Sequence, residues 1–112
     1  MTATKYPSMS ERKAARVAEI RRALAVLRER LAEYARTHGG YFLLYGSAAR
    51  DELRYDSDVD LVLDFPAEAE DAAWTFAEDA CWDLKLEPDI IAASWCKPAF
   101  LERVRKDAVI LG

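Results

Sequence analysis

With 112 residues, 52% of them hydrophobic and 11% aromatic, the chain has the size and apolar content of one domain with one core, and 1–112 is read as that single domain. No apolar run approaches the roughly 20 residues that a membrane span needs, and the start MTATKYPSMSERKAARVAEI has no signal-like apolar segment, so a cytoplasmic protein is expected. The net charge of −4 hides an asymmetry: residues 1–40 carry nine Lys or Arg against four Glu, whereas residues 41–112 carry seven against sixteen Asp or Glu. A basic helix can serve a nucleic acid or a partner, but a solvated face opposite an acidic body is the simpler reading, and nucleic acid is not the expected partner.

Residues 1–9 are expected to be unstructured. From Ser10 to His38, Val17, Ile20, Leu24, Leu27, Leu31 and Tyr34 recur at spacings of three and four, which predicts a long helix with one apolar face. The stripe is too short to argue for a coiled coil, so packing on a sheet is expected rather than dimerisation. Gly39-Gly40 stops the helix. YFLLYG, Tyr41 to Gly46, is a continuous apolar run, the pattern of a strand covered on both faces. AARDEL after it is read as a short helix.

SDVDLVLDF is the second strand, with Val59, Leu61, Leu63 and Phe65 on a core face and Asp58, Asp60, Val62 and Asp64 on an open one. Pro66 ends it. AEAEDAAWTFAEDACWDL is a second helix with Ala73, Ala77, Cys81 and Leu84 inward beside Trp74 and Phe76. EPDIIAAS is a third strand opened by Pro88, and Pro98 starts a last helix to about Lys106. DAVILG is left as a final turn or strand. The class is therefore α+β, a small mixed sheet of three to four strands flanked by helices. Cys81 and Cys96, with no CxxC or Cys/His cluster, are read as free thiols.

Asp58 and Asp60 stand at i and i+2, on one side of a strand and roughly 6 to 7 Å apart at the backbone. Two carboxylates about 5 Å apart repel by on the order of 3 kcal/mol at an effective dielectric of 20, and a hard divalent cation with oxygen ligands would offset that. A calcium-binding EF-hand loop is excluded, because Leu61 and Ala67 occupy the positions where it needs Gly and Glu. No GxxxxGK[ST] is present. Gly46-Ser47 follows a strand and precedes AARDEL, where a glycine lets a phosphate approach, helix N-terminal amides and a hydroxyl bind its oxygens, and Arg50 adds charge. Each feature alone is weak.

Together they are specific. Gly46-Ser47, ten residues, then Asp58-Val59-Asp60 is the pattern G-S-x10-D-x-D, in which the chain resembles the nucleotidyltransferases of the DNA polymerase beta superfamily. It looks most like the minimal nucleotidyltransferases, small domains encoded beside HEPN-domain toxins, and the resemblance runs over nearly the whole chain. It implies a polymerase-beta-like fold, Asp58, Asp60 and a third acid on a neighbouring strand as ligands of two Mg²⁺ ions, and activation of an acceptor hydroxyl by that third acid. Asp89 is the candidate. Asp64, roughly 13 Å past Asp60 along the strand, is too far to share a metal, and Asp83 lies in a helical pattern. Gly46, Ser47, Arg50 and Ser57 make up the nucleotide-binding set. Many relatives have Gly after the arginine where this chain has Asp51, which puts a negative charge near the phosphate cradle.

The resemblance implies transfer of AMP from ATP to a hydroxyl, a tyrosine on a HEPN-type ribonuclease toxin, by an antitoxin. Two alternatives stay open. One is a catalytically idle antitoxin that acts by complex formation. The other is a small-molecule transferase like the aminoglycoside-modifying enzymes, which would need a second domain or a homodimer to build an acceptor pocket. With every element assigned, no residues of these 112 are left for a separate acceptor-gripping domain, which favours a macromolecular acceptor. Homo- or hetero-oligomerisation is left open.

Overall fold

The computed structural model describes residues 8–112, so residues 1–7 of the expected unstructured start lie outside the described residues. Residues 8 and 9 are already structured. Ser8 is the N-cap of helix α1, Met9–His38, and its Oγ accepts the Glu11 amide at 3.1 Å. At the other end Gly39 takes φ +74, a left-handed conformation that closes the helix with its amide on the Ala35 carbonyl. Gly40 follows because a Cβ there would collide with the Phe65 ring and the Asp64 carbonyl.

Strand β1 is Tyr41–Tyr45, and a 3-10 turn, Gly46–Ala48, comes next in place of the expected helix. Strand β2 is Val59–Asp64. A second 3-10 turn leads into helix α2, Glu70–Asp83. Strand β3, Pro88–Ala92, helix α3, Pro98–Asp107, and strand β4, Val109–Leu111, complete the described chain. The DAVILG tail is thus a strand. The sheet order is β3-β2-β1-β4, with β1 antiparallel to both β2 and β4 and with β2 parallel to β3. The parallel pair needs a long crossover, and α2 supplies it.

One face of the sheet carries the main core. Phe42 and Leu44 of β1, with Leu61 and Leu63 of β2, meet Ile20, Leu24, Leu27, Leu31 and Ala35 of α1 and Ala73, Ala77 and Cys81 of α2. The helix stripe read from the sequence is the one that packs, except at its ends. Val17 is only half-buried, and Tyr34 lies beside the core, stacked on Phe76 at 4.1 Å and on His38 at 3.8 Å.

The opposite face is not open, and here the sequence-based expectation is corrected. Val62 is fully buried with Leu43 and Val104, and Tyr45, Ile91, Phe100 and Leu101 pack around them. An apolar residue among acids in a strand marked a second, smaller core under α3. The acids flank that core, and Asp64 accepts a hydrogen bond from the Tyr41 hydroxyl at 2.8 Å and sits 3.5 Å from Arg105. Cys81 and Cys96 are free thiols, and among the described residues no helix is long and apolar enough to cross a membrane.

Candidate active site

The parallel pairing of β2 with β3 sets Asp60 opposite Asp89, and the antiparallel pairing of β1 with β2 sets Tyr45 opposite Asp60. Partners in register share a face of the sheet, so Tyr45, Asp60 and Asp89 form one row across three adjacent strands. The expected third acid is the one that the register delivers beside Asp60. Asp58 precedes β2 by one residue, since the strand begins at Val59 and not at Ser57, and its side chain is exposed.

The row changes the chemistry of its middle member. Asp60 is half-buried and its carboxyl is pushed up from 3.8 to about 6: burial comes first, then the charge and hydrogen bond of Asp89 and the charge of Asp58, opposed by the Arg50 guanidinium. The Tyr45 hydroxyl is raised to about 12, chiefly by burial and then by Asp60, Asp89 and Cys96. Sequence reasoning passed over Tyr45. Its alternation with Leu43 put it on this face, but only the register puts it beside the acids.

The Gly46 backbone closes on Asp60 from the β1 side. Its φ is +72, and a Cβ would fall on Asp60 Oδ2, so the missing side chain makes room for a carboxylate of the chain itself rather than for a phosphate. The turn after it also differs from the expected cradle. The amides of Ala49 and Arg50 return to the Gly46 carbonyl at 3.2 and 3.3 Å, and that of Glu52 returns to Ser47 at 2.9 Å. These three donors are spent within the turn, and side chains add to what the loop offers. Ser47 Oγ–H donates to Ser57 Oγ at 3.3 Å, and Ser57 Oγ also accepts the Arg54 amide at 2.7 Å, which ties both ends of the loop together. The structure thus brings Gly46, Ser47, Arg50 and Ser57 to one loop beside Asp60.

Asp51 has φ +57, a left-handed conformation in which glycine is at home and Asp is among the few tolerated side chains. Its carboxylate accepts from Arg21 of α1 at 3.1 Å, so its charge is drawn to a partner on the helix side of the loop.

The donors suit a hard cation: all are carboxylates, two in register and a third two residues away on the same chain, with Asp60 raised first by burial and then by a repulsion that a cation would relieve. The side chains are not drawn up as a finished ligand set, since no three His, Cys, Asp or Glu groups among the described residues converge closely enough. An in-register pair with one exposed, rotatable acid beside it fits a metal that gathers its third ligand on binding.

The comparisons with known proteins agree with this geometry. A family model described as a nucleotidyltransferase domain matches residues 24–111. A solved structure described as that of a candidate minimal nucleotidyltransferase is 26% identical with a TM-score of 0.63, over 80% of this chain and 93% of that one. No curated protein matches the chain. With the family model spanning well over half its length and the matching fold around the acid row, the chain belongs to the nucleotidyltransferase domain family.

Proposed function

We propose that this chain transfers AMP from ATP to a hydroxyl, a tyrosine on a HEPN-type toxin, and so acts as the antitoxin of a toxin-antitoxin pair. The observation that supports nucleotidyl transfer is the Asp60–Asp89 pairing in register under the Gly46 loop. The acceptor and the partner rest on the resemblance to minimal nucleotidyltransferases.

In this reading the acceptor oxygen attacks the α-phosphorus, the new O–P bond forms as the bond to the bridging oxygen breaks, and pyrophosphate leaves. The acceptor proton passes to Asp89, which is exposed and lies at the edge of the sheet where a macromolecule can reach it. Asp60 and Asp89, with Asp58, would hold divalent metal, which supplies charge neutralisation at the phosphates and lowers the acceptor's pKa. Ser47, Ser57 and Arg50 orient the nucleotide over the row.

The test is incubation with ATP ³²P-labelled at its α-phosphate, Mg²⁺ and the HEPN-type toxin. Labelling of that partner is expected for the parent, with a loss on the order of 10²-fold or more for Asp58→Asn/Asp60→Asn. Labelling that survives undiminished in the double variant would defeat the proposal. A second reading, neutralisation by binding alone, draws on the exposed Asp58 and on the loop amides that turn back on their own carbonyls. It expects the double variant to protect cells from the toxin as well as the parent does.

A further inference from the structure

A groove of about 230 Å³ opens beside the acid row, between the Gly46 loop and α3. Tyr45 and Gly46 form its sheet end, Arg50 comes from the loop, and Phe100 and Arg103 come from α3. We propose that it takes the polyphosphate tail of the nucleotide and that Arg103 is a binding residue for it, paired across the groove with Arg50; this rests on the nucleotidyl-transfer reading above.

Several observations converge. The groove lies next to Asp60, because its lining residue Tyr45 is in register with that carboxylate and its lining residue Gly46 lies against it, so a tail in the groove runs toward the acids. Its volume is below the roughly 300 to 1,000 Å³ of pockets that enclose a whole small ligand, which suits one end of a nucleotide rather than all of it. Its charge is positive: two guanidiniums from separate elements line it against one carboxylate, Asp107. Arg103 makes no ion pair among the described residues, and the contact of Arg50 with Glu52 at 3.3 Å joins two exposed neighbours of one loop, which makes it weak. Finally, Arg103 stands on a fixed base. Val104 beside it is buried against Leu43 and Val62, and Phe100 meets the Tyr45 ring edge-on with centroids 6.0 Å apart. A guanidinium carried on a helix anchored this way offers the planar fork that binds phosphate oxygens in pairs. The Ala49, Arg50 and Glu52 amides of the loop are turned inward, and a side-chain donor from α3 adds to those the loop still offers.

Titration calorimetry on the full chain decides it, with three probes: inorganic tripolyphosphate, ATP with Mg²⁺, and AMP. Arg103→Ala is expected to weaken tripolyphosphate and ATP by about 10-fold to 100-fold, the range of one charge-assisted hydrogen-bonded contact, and to leave AMP unchanged. Arg103→Lys should recover part of the loss. Arg105→Ala, whose guanidinium faces Asp64 and Tyr41, should change none of the three. Arg103 is exposed, so an unchanged melting curve shows that lost binding is not lost folding. The proposal is overturned if the parent does not bind tripolyphosphate, or if Arg103→Ala binds it as the parent does. A parent that transfers AMP with Arg103→Ala unaffected sinks the groove assignment alone. A parent that loses tripolyphosphate binding on Arg103→Ala yet transfers no nucleotide sinks the transferase reading and keeps the groove.

Discussion

Gly46 is where one added methyl group tests the site most directly. A left-handed φ costs an ordinary L residue roughly 1 to 2 kcal/mol, and here the methyl would also displace the Asp60 carboxylate. Gly46→Ala is expected to lower the free energy of urea unfolding by about 1 to 3 kcal/mol, and a variant as stable as the parent would refute the close approach. Asp60 allows a test by pH. Its folded pKa of about 6 lies above the ordinary 3.8, so the folded state holds the proton longer as pH rises. The contribution to stability is full below about pH 4 and is lost as pH climbs through about 6. In EDTA, the stability of the parent relative to Asp60→Asn should fall across that window; a flat difference would rule the shift out. Above it, Mg²⁺ should raise the melting temperature of the parent and not of Asp60→Asn. Asp51 shows what a residue's type conceals. The sequence exposes its negative charge near the loop, whereas its left-handed backbone and its pairing with Arg21 belong to the structure.

Among the elements, α1 and β1 were plain in the sequence because their signals are local: a stripe at helical spacing with a glycine stop, and an unbroken apolar run. β2 was found with its start two residues early and one face misjudged. Three acids at alternate positions suggested solvent, and the single Val62 among them carried the opposite message. Its burial depends on α3, which arrives about 40 residues later in the chain. Val104→Ala tests that layer. Removing two methyl groups from the small core should cost about 2 kcal/mol of unfolding free energy and also weaken tripolyphosphate binding, because Arg103 sits on the same turn. Loss of stability with unaltered binding would separate α3 from the site. AARDEL was misread for another reason. A helix of six residues gains few hydrogen bonds after nucleation, and a 3-10 turn that carries the chain from Gly46 into the loop wins.

Across the whole molecule, the acids, the loop and the groove belong to four elements that only the sheet brings together. The order β3-β2-β1-β4 puts β2 between the strand that carries Asp89 and the strand that carries Tyr45 and feeds the Gly46 loop. The charge asymmetry finds a partial outlet in contacts between halves, with Arg21 on Asp51 and Arg30 on Asp83 at 2.8 Å, all of them exposed and therefore of small energetic weight. By itself the sequence determined the α+β class, the order of α1, β1, β2, α2, β3 and α3, the glycine stops and the spacing that pairs a Gly-Ser turn with two aspartates, because each is written in neighbours a few residues apart. Only the tertiary structure decided that Asp89 stands opposite Asp60, that Gly46 makes room for a carboxylate, and that Arg103 and Arg50 line one groove. Strand register and helix placement are settled by packing between segments far apart in the chain, where no local pattern reaches.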